Sequence, residues 1–155
     1  MKKLLVVSVL AASLAFAGIA NAGIAVGAGF SSWGGIFGAN VDIGLDGPLS
    51  VQAQVGLLPM TVGGGVVYRF APIMEGKITP YVGGEFDYWL NYLGLSINYM
   101  VFGGKGGAEY KISDNLIGYG GVLVGYGMWP GTTYLGSPGG MASGVEVGVR
   151  FVIGQ

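Results

Sequence analysis

The chain has 155 residues, of which 52% are hydrophobic and only 10% charged, with no cysteine and no histidine. Soluble domains carry roughly 25% charged residues, so an ordinary water-exposed globule is disfavoured. Zero cysteines exclude a disulfide framework, and the absence of a basic cluster argues against nucleic-acid binding.

The N-terminus reads as an export signal. Met1-Lys2-Lys3 is a short positive region, Leu4 to Ala17 is an apolar run, and Ala20-Asn21-Ala22 is a small-x-small cleavage site. A membrane anchor is the competing reading, but the run is short for a span and no basic stop-transfer flank follows. Residues 1–22 are therefore expected to be a signal peptide, leaving 23–155 as one domain of 133 residues. Lys2 and Lys3 leave with it, so five basic residues remain against eight acidic ones.

Beyond residue 22 no stretch approaches the ~18 unbroken apolar residues of a membrane helix. The pattern is instead one of strands, expected at 24–30, 36–45, 49–58, 61–70, 78–89, 97–112, 116–128 and 141–153. The second is the clearest. Phe37, Ala39, Val41, Ile43 and Leu45 share one face, and Gly38, Asn40, Asp42 and Gly44 the other. About nine to eleven tilted residues suffice for a strand to cross a bilayer. Pro48, Pro59, Pro72, Pro80, Pro130 and Pro138 all fall at segment ends or between segments, where no ladder hydrogen bond is lost. Asp46-Gly47-Pro48 and Ser113-Asp114-Asn115 supply tight-turn chemistry. Longer connections occur at 90–96 and 129–140, and 71–77 is long for a periplasmic turn.

The 33 glycines are patterned rather than scattered. Gly38/Gly44, Gly63/Gly65, Gly103/Gly107 and Gly144/Gly148 repeat on the non-apolar faces, as a narrow barrel interior requires. The opposite faces carry Val51, Val55 and Leu57; Val66, Tyr68 and Phe70; and Val145, Val147, Val149, Phe151 and Ile153. Phe70, Tyr110 and Phe151 fall at one rim and Phe37, Tyr88 and Tyr126 at the other, matching two interfacial girdles. A soluble lipocalin-like barrel also alternates, but a glycine face is a poor water-facing surface. Strand seven is ambiguous: Ile117, Tyr119 and Leu123 oppose Val122, Val124 and Tyr126. The expected fold is an all-β, eight-stranded antiparallel up-and-down transmembrane β-barrel.

Asp42, Arg69, Glu85, Asp87, Lys105, Glu109, Lys111, Glu146 and Arg150 lie on non-apolar faces. An Arg or Lys facing hydrocarbon at the midplane costs roughly 2–4 kcal/mol, so these charges are assigned to the lumen. A paired network that plugs the barrel is the favoured reading. A polar pathway is the alternative, although a selective pore would show a ring of one sign. Glu85 and Asp87 share one strand face and could divide acid and base roles, with Lys105 and Lys111 as the plainer explanation of their presence. Gly103-Gly104-Lys105-Gly106-Gly107 lacks the spacing of a phosphate loop. No catalytic residue, metal site or cofactor is assigned.

The outer loops hold Trp89, Tyr92, Leu93 and Leu95, and then Trp129, Tyr134 and Leu135. They either extend the girdle or form a contact site for an apolar molecule or a surface protein.

Taken over residues 23–155, the chain resembles the small eight-stranded bacterial outer-membrane barrels of the OmpA/OmpX type. Pro80-Tyr81-Val82-Gly83-Gly84 is similar to a strand opening common among them, and Gly144 to Ile153 to their C-terminal assembly signal. That signal usually ends in an aromatic residue, whereas this chain ends in Gln155, with Phe151 the nearest aromatic. The resemblance implies the bacterial outer membrane as location, with its lipid and lipopolysaccharide as surroundings and the barrel-assembly machinery as a transient partner. The family's enzymes use Ser-His or Asp-His machinery, which a chain without histidine lacks. The expected role is non-enzymatic, either structural or surface-directed. A narrow channel or transporter for small or apolar solutes is the alternative, and a secreted ligand-binding barrel the third.

Overall fold

The computed structural model describes residues 23–45, 47–90, 98–130 and 139–154. Eight strands follow one another: β1 (Ile24–Ser31), β2 (Gly35–Gly44), β3 (Leu49–Leu57), β4 (Met60–Arg69), β5 (Ile78–Leu90), β6 (Tyr99–Lys111), β7 (Leu116–Met128) and β8 (Gly139–Gly154). Every end lies within two residues of the position expected from alternation and turn chemistry. Each strand pairs antiparallel with its neighbour, and β8 pairs with β1 to close the barrel.

Closure carries a stagger. From Gly27 the register runs through Asn40, Gln54, Gly63, Asp87, Val101 and Gly127 to Gly140, ten residues from Arg150, which pairs with Gly27 directly. A stagger of that kind tilts the strands, and with eight of them the interior is only wide enough for side chains.

Strand parity sets what faces outward. Val51, Val55, Leu57, Val66, Tyr68, Val145, Val147, Val149, Phe151 and Ile153 are exposed on the outer wall, while the charged positions are mostly buried in the lumen. This inside-out distribution suits a lipid solvent and removes the case for a lipocalin-like barrel, whose apolar face points inward. On β7 the barrel interior decides the ambiguity. Leu123 (0% exposed) and Tyr119 point inward, and Val124 (53%) and Val122 point outward. Leu123 packs with Val101 of the neighbouring strand β6 inside the barrel.

The long connection after β4 is itself a small hairpin. Ile73 and Ile78 exchange two backbone hydrogen bonds, at 2.8 and 3.2 Å, around a turn whose Gly76 has φ 82°. The turn between β6 and β7 closes through Ile112 N–H to Leu116 O at 2.9 Å.

Candidate functional site in the barrel lumen

Inward-facing positions from seven strands build one polar interior, layered along the barrel. Nearest the β2–β3 turn, Arg69 on β4 donates Nε to Glu109 Oε2 and Nη2 to Glu109 Oε1, both at 2.8 Å. It also reaches Asp42 Oδ2 and Ser50 Oγ, each at 2.6 Å. Arg150 on β8 donates to the same Glu109 at 2.8 Å and to Asn40 Oδ1 at 3.1 Å. Its guanidinium lies 3.9 Å from the centre of the Tyr119 ring. Two acids and two guanidinium groups balance in this layer, and the forked geometry of arginine lets one cation satisfy several acceptors at once.

The next layer is unbalanced. Lys105 Nζ donates to Glu85 Oε2 and Gln52 Oε1 at 2.6 Å and lies 3.5 Å from Glu146 Oε2. Tyr81 O–H donates to Glu146 at 2.7 Å. Gln54 Nε2 bridges the other pair of carboxylates, 3.0 Å from Glu85 and 2.7 Å from Asp87. Asp87 is wholly buried, and among the described residues no donor reaches its Oδ2. Glu85 and Glu146 therefore share one ammonium, and Asp87, the third carboxylate of the layer, has no cation in contact.

The outer mouth is closed by the chain's own first loop. Ser31 Oγ accepts from the backbone N–H groups of Trp33 and Gly34 at 3.2 and 3.0 Å, folding the loop inward. Trp33 then packs on Val101 and Leu123, with Tyr99 and Ala142 at its margin. Thr61 Oγ1 donates to Gly34 O at 2.5 Å, and the Trp89 indole N–H donates to Trp33 O. The loop fits because two walls lack side chains. A Cβ at Gly56 would run into the Gly34 carbonyl, and one at Gly144 would lie 3.1 Å from the Trp33 indole.

Eight of the nine charged side chains assigned to the lumen from alternation lie there and belong to the two polar layers. Lys111 does not. It ends β6 at the membrane–water boundary, where its long side chain, half exposed, turns back to pair with Asp114 at 2.9 Å. Lys111 also lies ten residues along β6 from Val101, the residue that pairs with Asp87, so Asp87 cannot draw on it. Of the loop residues, Trp89 and Trp129 both pack on Tyr99, with ring centres 5.1 and 4.5 Å away. Tyr92, Leu93, Leu95, Tyr134 and Leu135 lie outside the described residues.

A charge-only reading overlooked Trp33, Ser50, Gln52, Gln54, Asn40, Tyr81 and Tyr119. Most stand on the same parity as the charges, so counting every polar group on the non-apolar face would have found them. Trp33 had no such signal, since it sits in a connection.

The polar side chains of both layers form one buried network of hydrogen bonds and ion pairs inside the barrel. Among the described residues no group of three acidic side chains is placed to hold a metal ion. No protein-family model matches the chain, and no curated protein does. Its structure is similar to the crystal structure of Neisserial surface protein A (NspA), with a TM-score of 0.54. The chain has the fold of a transmembrane β-barrel. That likeness covers 85% of this chain and 95% of the neisserial one at 15% sequence identity. A barrel from de novo design of transmembrane β-barrels also aligns, with a TM-score of 0.46, 20% identity, and 85% and 94% coverage.

Proposed function

We propose that the protein is a non-conducting, non-enzymatic barrel of the bacterial outer membrane with a structural or surface-directed role. The observation that carries this reading is the double closure of the lumen. Below, Arg69 and Arg150 from opposite walls meet at Glu109, and Lys105 on β6 reaches Gln52 on β3; above, Trp33 packs on Val101 and Leu123. An open pore would need room between those walls, and an eight-stranded barrel offers little. The histidine-free sequence supports a non-catalytic role.

On this reading the surroundings are outer-membrane lipid and lipopolysaccharide, and the closing strand β8 is what the assembly machinery engages during insertion. A second reading, a narrow cation pathway, draws on the three carboxylates around Lys105. Planar-bilayer recording of the refolded barrel separates the two. Silent membranes are expected, and steady cation-selective currents from the wild type would overturn the plug.

A further inference from the structure

The connection between β3 and β4 is unlike the other turns in its chemistry. Residues 57–60 read Leu-Leu-Pro-Met, with no polar side chain, whereas the connections at the opposite rim contain Glu75, Lys77 or Asp114. By strand order this turn lies on the outer side, where water would be expected. Yet Leu57, Leu58 and Met60 are 60%, 67% and 58% exposed.

Its backbone is equipped for an apolar medium. Pro59 has no N–H to satisfy, and the Leu58 carbonyl accepts from Ile36 N–H at 3.4 Å. Thr61, the first polar side chain after it, is turned inward onto Gly34 O. An unsatisfied backbone group in lipid costs several kcal/mol, and here Pro59 removes one donor while Ile36 satisfies the Leu58 carbonyl. Its strands are also short. β3 has nine residues and β4 ten, against thirteen in each of β5, β6 and β7. About nine to eleven residues only just cross the bilayer, so this hairpin has no length to lift its turn into water.

Beside the turn the outer wall is hollowed. Phe37, Ala39, Val55, Leu57, Met60 and Val62 line an apolar groove of about 500 Å³, within the size range of small-ligand sites. It is continuous with the exposed apolar band of the barrel below.

We infer that the β3–β4 turn is inserted in the outer leaflet and that a lipid acyl chain lies in the groove beside it. The inference rests on the membrane-barrel reading. Continuity with the lipid-facing band selects the acyl chain as occupant. A consequence is that the water-facing surface open to protein partners lies on the β5–β8 side, where the strands are longer.

The chain has no native cysteine, so single-site nitroxide labelling in lipid vesicles tests this directly. Labels go on Leu58→Cys and, as a second variant, Leu57→Cys. Val66→Cys marks the lipid-facing band and Asp114→Cys the aqueous turn. Collision with oxygen and with a water-soluble nickel chelate is read for each. The turn labels are expected to match Val66, with oxygen collisions several-fold favoured over nickel. Nickel collisions like those of Asp114 overturn the inference while leaving the barrel in the membrane. Dipolar broadening between copies, or shielding from both reagents, also overturns it, because a protein then covers the groove. A nickel-accessible Val66 label overturns the membrane reading itself.

Discussion

Arg69 and Glu109 face each other across the lumen through two parallel hydrogen bonds of 2.8 Å, and Arg150 takes the same carboxylate from the other side. Glu109 is therefore the acceptor that holds two guanidinium groups near one another. Replacing it by alanine leaves both short of a counter-charge. Breaking a buried pair costs about 3–5 kcal/mol, and since Arg69 is partly exposed the lower end is expected. Urea unfolding in detergent micelles, read by the gel shift between folded and unfolded barrel, measures it. A Glu109→Met, Arg69→Met double variant should recover much of the loss.

Lys105 and Asp87 should respond in opposite directions. Lys105→Met strips Glu85 and Glu146 of their one ammonium and should destabilise by about 3–5 kcal/mol. Asp87→Asn removes a carboxylate that has a Gln54 hydrogen bond but no cation in contact. That variant should be as stable as the wild type or more so. Unfolding midpoints that fell equally in both would reject the imbalance around Lys105.

Trp33→Ala should cost about 3–5 kcal/mol, as expected for emptying a packed aromatic site. It should not by itself produce steady current, because the charge layers below still fill the lumen. Bilayer recordings of Trp33→Ala, and of Trp33→Ala combined with Lys105→Met, compare the two closures. An open Trp33→Ala barrel would mean that the loop alone is the plug.

Strand β7 offers the sharpest test of facing. Val124→Arg places a charge toward hydrocarbon and should cost about 2–4 kcal/mol if near the midplane, reducing insertion into vesicles. Leu123→Ala should insert normally and lose about 2–5 kcal/mol by leaving a cavity against Val101 and Trp33. Exchanged phenotypes would invert the strand.

The Lys111–Asp114 pair makes a contrast at the water-facing turn. The ammonium of Lys111 holds the Asp114 carboxyl below its ordinary range. With its folded value depressed, any stabilisation exists above the ordinary carboxylate range and is lost as pH falls through the lowered one. Asp114 is fully exposed, and such pairs are screened by salt. Asp114→Asn should leave the unfolding midpoint unchanged at moderate ionic strength.

Alternation and turn chemistry were enough to determine the eight strands, their ends, and the wall on which Val66 or Val147 stands. The reason is local: in a strand each side chain's direction follows from parity alone, and a lipid solvent makes large apolar residues report that direction. Parity also led Asp42, Glu85, Glu109 and Arg150 into the lumen. It could not choose the face of β7, where both sides carry large apolar residues, because that depended on Val101 of the neighbouring strand and Trp33 of the first loop packing on Leu123. Nor could it show that Lys111 ends beyond the lumen, or that Asp87 lacks a cation. Ion pairs join strands distant in sequence, and their partners are set by the ten-residue stagger of closure, which emerges only when β8 meets β1. Trp33 is the clearest case. Nothing in Ser-Ser-Trp-Gly-Gly distinguishes a surface loop from a stopper until Gly56 and Gly144 are seen to make room for it.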